Sequence, residues 1–188
     1  MTRLTQRILK QKNFFYWVII GLLVISLSFN LTMYRKVDAY ERYLSGEINN
    51  LVRDLVFNIE RSHHIIETIL SSNTIDKRQA SSLSGYFSSI ALRYQDLEYI
   101  GFTIDRFDSR PGSIVLNINQ NISFYFDGLE NQLNSQKKMN LHGGRLEDLK
   151  KVKQLLDGYK KVVSSIPGLK EEVDNNRVAR NDWVNLLT

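Results

Sequence analysis

Residues 14–34 read FFYWVIIGLLVISLSFNLTMY, and the reading of this stretch decides the architecture. No side chain in it carries a charge. At roughly 1.5 Å per residue, a helix of this length spans about 30 Å, the thickness of a bilayer's hydrocarbon core. Tyr16 and Trp17 stand at one end and Tyr34 at the other, where amphipathic rings favour the membrane–water interface. Arg35 and Lys36 close the far side, and Asn30 is the one strongly polar side chain, within about a turn of that boundary. Residues 14–34 therefore read as a transmembrane helix in contact with the lipid bilayer. A cleaved signal peptide shares the basic start, but its apolar run is about 7–15 residues and ends in small residues such as A-x-A. The best small pair here, Ser26 and Ser28, lacks alanine and is followed by Phe29.

Charge supports the same partition. The formal net charge is +5. Arg3, Arg7, Lys10 and Lys12 supply four of those charges, and residues 1–34 contain no acid. Of the 25 basic groups, 21 remain beyond residue 34 against 20 acidic ones, a net of +1. The high pI is thus a property of the tail, and the main domain lacks the basic footprint of nucleic-acid binding. Lys and Arg near a span favour the cytoplasmic side. Four precede this span undiluted, while Arg35, Lys36 and Arg42 follow it closely. The expected organisation is a basic cytoplasmic tail at 1–13, the span at 14–34 and an extracytoplasmic helical domain at 35–188.

Helical spacing governs the rest. Leu44, Ile48, Leu51, Leu55, Ile59, Ile66 and Leu70 form one stripe, with Ser45-Gly46 as a site for a kink. Asn73-Thr74 is a stop and Asp76 an N-cap for the next helix. That helix carries the cleanest stripe, Ala80, Leu83, Phe87, Ile90, Tyr94, Leu97 and Ile100. Steps of three and four make a heptad-like seam, too short for a free coiled coil and suited to an antiparallel bundle. Residues 101–112 read as a connection.

Residues 113–134 admit two readings. Val115, Ile118, Ile122, Tyr125, Leu129 and Leu133 fit a helix. Ile114, Leu116 and Ile118, then Ile122, Phe124 and Phe126, alternate with polar residues, which would suit a short β-hairpin within 113–127. A polar linker follows, ending at His142-Gly143-Gly144. Leu146, Leu149, Val152, Leu156, Tyr159 and Val163 then mark a helix that stops before Pro167-Gly168, and a weak amphipathic stretch holds Leu169, Val173, Val178, Trp183 and Leu187. The fold class expected is mainly α: one span followed by an antiparallel helical bundle.

No catalytic, cofactor-binding or metal-binding residue is assigned. The chain has no cysteine, which excludes disulfides, thiolate nucleophiles and zinc–thiolate sites. Glu60 and His63 form a Glu-x-x-His pair, and Glu60, His64 and Glu67 share a face. A di-iron bundle needs a second such pair, and the remaining histidine, His142, sits in a glycine turn. There is no G-x-S-x-G elbow, Walker A or G-x-G-x-x-G. Asn121-Ile122-Ser123 is a glycosylation sequon relevant only to a eukaryotic secretory pathway. Helix 145–163 is locally basic, which reads first as a solvated face and second as a surface for anionic lipid or an acidic polymer.

The layout is similar to that of small bacterial division and sporulation membrane proteins, with no motif that assigns a family. The function expected is a bitopic binding or scaffolding module that engages another envelope protein. A ligand-sensing accessory subunit is the alternative, and an enzyme ranks last. A protein partner in the envelope is expected, the same layout permits a homo-oligomer, and no nucleic acid is expected.

Overall fold

The computed structural model describes residues 3–104, 114–135 and 137–165, with side chains from Phe15 onward. The protein is mainly helical: α1 (Arg3–Ser72), α2 (Lys77–Thr103), α3 (Ile114–Gln132) and α4 (Gly144–Ser165). Two three-residue strands, β1 (Thr74–Asp76) and β2 (Lys138–Asn140), form a small antiparallel sheet. The weak terminal stretch beyond Ser165 and the turn at Ser109–Gly112 lie outside the described residues.

By compactness the chain divides into Met1–Leu44 and Ser45–Thr188. In the first unit, α1 contains a run long and apolar enough to cross a membrane, and its side chains from Phe15 to Tyr34 are all exposed. The α1 hydrogen-bonding pattern runs through Ser45-Gly46 without interruption. Both residues are compatible with helix at modest cost, and nothing nearby forces a break.

In the second unit the expected stripes become the core. Ile48, Leu51, Leu55, Ile59 and Ile66 of α1 are buried, together with Val52, Val56 and Ile69 beside them. The α2 seam is buried from Ala80 to Leu97, and Leu149, Val152 and Leu156 bury one face of α4. Side-chain contacts join the helices. Asp54, Phe57 and Asn58 on α1 meet Arg93, Tyr86 and Ser89 on α2. His63 and Glu67 on α1 meet Asp157 and Lys153 on α4. Asn119 and Gln132 on α3 meet Tyr159 and Arg145 on α4.

The turn between α1 and α2 follows its local chemistry. Asn73 takes a left-handed conformation at φ 50°, which asparagine tolerates better than most residues. Asp76 then caps α2: its carboxylate accepts from the Gln79 N–H at 2.8 Å, and the Gln79 side chain accepts from the Asp76 N–H at 3.0 Å. These reciprocal bonds satisfy two donors that a helix start would otherwise leave open. In the same turn Ile75, fully buried, pairs across the sheet with Met139, and the Leu141 N–H donates to the Asn73 carbonyl at 2.9 Å. The connection expected to be a polar linker thus carries a strand that ties the α3–α4 turn to the α1–α2 turn.

The β-hairpin reading of 113–127 is not adopted; Ile114–Gln132 is one helix. Its buried face also differs from the expected stripe. Asn119, Ser123, Phe126 and Leu129 point inward, and Leu133 just beyond α3 is buried too, whereas Ile114, Ile118 and Phe124 are exposed. The alternation came from two apolar faces on a single helix, one dry and one open.

The core assignment of α2 gives a direct test. Ile90 is 1% exposed and Leu92, two positions on, is 51% exposed. Ile90→Asp puts an unpaired carboxylate among apolar neighbours, which costs several kcal/mol, about the whole stability of a small domain. In a fragment of residues 35–188, Ile90→Asp should abolish the cooperative thermal transition and Leu92→Asp should preserve it. Equal behaviour of the two variants would show that the seam is not core.

Candidate functional site

Two features of the Ser45–Thr188 unit stand apart from its apolar core. The first is a polar cluster joining α1 to α4. His63, 7% exposed, places Nε2 2.8 Å from Asp157 Oδ1. A carboxylate only accepts, so Nε2 carries the hydrogen of this bond. The other ring nitrogen, Nδ1, lies 3.5 Å from Glu67 Oε2, an ion-pair distance one turn along α1. Lys153 donates to Asp157 at 2.9 Å and stands 3.9 Å from Glu67. The Asp157 carboxyl is held below the usual carboxylate range, first by the hydrogen bond from Lys153 and then by that from His63.

The residues singled out from sequence are divided by this geometry. His63 turns inward to Asp157, while Glu60, His64 and His142 are exposed. Among the described residues no group of three His, Asp or Glu side chains could hold a metal ion. With each ring nitrogen of His63 facing a carboxylate, the arrangement works as a clamp between two helices. Asp157 lies 94 positions away, and no local motif announces the pair.

The second feature is a groove between α3 and α4, and the rotation of α3 produces it. Phe126 stacks on Phe87 with centroids 5.9 Å apart and planes at 15°. Ser123 Oγ donates to the Ser84 carbonyl at 2.9 Å. Asn119, fully buried, donates to the Val115 carbonyl at 2.8 Å and to Tyr159 Oη at 2.9 Å. Burial raises the Tyr159 phenol above its ordinary range, an effect the bond from Asn119 partly offsets. Two polar side chains thus occupy the inner face with their donors bonded, while Asn119 Oδ1 is buried with no partner among the described residues. The apolar Ile118 and Ile122 and the Tyr125 ring are left on the side toward α4.

There they line an open cavity of about 390 Å³ whose other wall is Val152 and Leu155, with Asp148 and Lys151 at its edge. The Tyr125 phenol is raised above its ordinary range chiefly by burial and next by Asp148, with Arg145 opposing. Its hydroxyl is buried without a hydrogen-bond partner among the described residues. Ser123 of the glycosylation sequon is buried against α2, while Asn121 is exposed beside the cavity. No protein-family model, curated protein or solved structure matches this chain.

The clamp has a pH signature. A carboxyl with a depressed folded pKa contributes stability that is fully present above its unfolded value, about 4, and lost as pH falls through the folded value. Asp157→Asn removes that contribution. The urea midpoint of the variant should lie below that of the parent at neutral pH. The two should converge as pH falls through the folded value of the parent carboxyl, below which it is protonated as well. A gap that persists unchanged at low pH would mean that Asp157 acts by shape and not by charge.

Proposed function

We propose that this chain is a bitopic membrane protein whose helical domain binds another protein of the envelope. In this reading residues 14–34 cross the bilayer, 1–13 lie in the cytoplasm, and 35–188 stand outside it as an antiparallel helical bundle. Three observations support the span and its orientation: the uncharged run, its complete exposure in an otherwise well-packed chain, and the acid-free basic tail before it. The bundle is supported by the side-chain contacts of α1 with α2, α1 with α4 and α3 with α4.

The observation that carries the binding role is the α3–α4 groove. Its walls are apolar, it opens to solvent, and Ile118 at its lip is 38% exposed. Phe124 and Ile114 on the same helix are 70% and 69% exposed. A groove between two helices, floored by Ile122 and Leu155 and edged by one acid and one base, suits the apolar face of an amphipathic helix. A small apolar ligand is the second reading, favoured by a volume within the usual range for such pockets.

Both parts of the proposal can be tested in the intact protein. A reporter active only outside the cytoplasm, fused after Thr188, should be active, and a cytoplasmic-only reporter should be silent. A photo-reactive residue at Ile118 should capture one protein partner in native membranes. Ile118→Lys should lower non-covalent co-purification of that partner on the order of tenfold, with the urea midpoint shifted by no more than about 0.5 kcal/mol equivalent, as for other surface changes. Capture of no protein, together with thermal stabilisation by a membrane extract of small molecules, would favour the sensing reading.

A further inference from the structure

We propose that two copies of this chain pair in parallel through the membrane-side part of α1, along a seam of Leu23, Asn30, Met33, Val37, Tyr40 and Leu44. The inference rests on the reading of residues 14–34 as a span, and all of the seam lies within the unit Met1–Leu44.

Asn30 starts the argument. It sits six positions from Val24, the centre of the apolar run, and so roughly 9 Å from the bilayer midplane and inside the hydrocarbon. A carboxamide has two N–H donors and an acceptor oxygen. Asn30 Nδ2 reaches Ser26 Oγ on its own helix at 3.5 Å, a long bond that uses one donor. Lipid offers no water to satisfy the rest. A second copy inserted with the same orientation carries its own Asn30 at the same depth. The two carboxamides can then bond across the pair, and one such polar position fixes register.

The spacing extends the seam in both directions. Leu23, Asn30, Val37 and Leu44 recur every seven residues, with Ser26, Met33 and Tyr40 between them at the complementary positions. Beyond the span Val37 is 52% exposed and Tyr40 59% exposed, an apolar face left open among the described residues. A helical segment of this kind in water is marginal without a packing partner.

Charge fits a parallel pair. Lys36 and Glu41 flank the seam at the positions where Lys36 of one copy faces Glu41 of the other. The ion pair within one chain, Arg42 to Asp38 at 2.7 Å, falls on the opposite, outward face.

The absence of native cysteine makes the test direct. Single cysteines are placed in the full-length chain at Val37 or Tyr40 on the seam, and at Ala39 or Arg42 on the outer face. Native membranes are oxidised, and alkaline carbonate extraction reads membrane anchoring of each variant independently. The expected result is a cross-linked species of twice the 21.9 kDa monomer mass from the two seam positions and little from the outer two. Asn30→Leu should lower seam cross-linking about fivefold or more, and Asn30→Gln should restore much of it, as expected for an interhelical polar contact. If every variant stays in the carbonate-resistant pellet but the four positions cross-link equally or not at all, the pairing is wrong and the anchor stands. A product of any other mass would put a different protein on the seam and overturn the second copy. Release of the unmodified chain into the carbonate supernatant would remove the anchor, and the pairing with it.

Discussion

Phe87 has to be dry, and the helical domain is arranged around that requirement. Its ring is fully buried and lies nearly flat on Phe126, so α3 must present Phe126 to α2. On a helix this choice fixes the azimuth of every other residue. Ser123 is carried against the Ser84 carbonyl, Asn119 toward Tyr159, and Ile118 and Ile122 to the flank facing α4. A stacked aromatic pair is worth about 0.5–1.5 kcal/mol beyond its area burial. Its larger effect here is to decide which side of α3 meets solvent. The open groove follows from how α3 is rotated, since α3 has enough apolar residues for a different face to have been buried.

The parts of this architecture that were legible in the sequence are those decided within one or two turns of chain. The α2 seam could be read because every member from Ala80 to Leu97 is apolar and stands at a step of three or four. The Asp76 cap could be read because an acid followed three residues later by glutamine satisfies helix-start donors locally. The face of α3 could not be read. Asn119 and Ser123 are admitted to the interior only because Tyr159 and the Ser84 carbonyl, about forty residues away, receive their hydrogen bonds. A count of apolar residues assigns Ile118 to the core in their place. The strands escaped for a different reason: three residues are too few for a period of two to show. The His63–Asp157 clamp joins elements far apart in sequence, and the groove depends on how α3 is rotated, so neither leaves a local pattern.

One helix, α1, carries two different surface patterns. Up to Tyr34 its apolar residues surround the axis, as suits lipid, and from Ile48 they narrow to a stripe, as suits a protein core. Between them Arg35, Lys36, Asp38, Glu41 and Arg42 bring charge back to the surface. The change in pattern along a single hydrogen-bonded element is what separates the two compact units, with no proline, glycine-rich linker or break in the helix needed to mark the boundary.

The strand pair also bears on the order in which the domain assembles. Contacts between α1 and α2, and between α3 and α4, close short turns, whereas β1 and β2 join Thr74 to Asn140 across the whole intervening chain. Closing a longer loop carries a larger entropic cost, and contacts distant in sequence form more slowly than local ones. Pairing of helices adjacent in sequence, α2 with α3 among them, can therefore come first and shield part of their apolar faces. The three-residue ladder then acts as a latch, closing once Ile75 and Leu141 are brought together and leaving the nascent chain few unpaired strand edges to expose meanwhile.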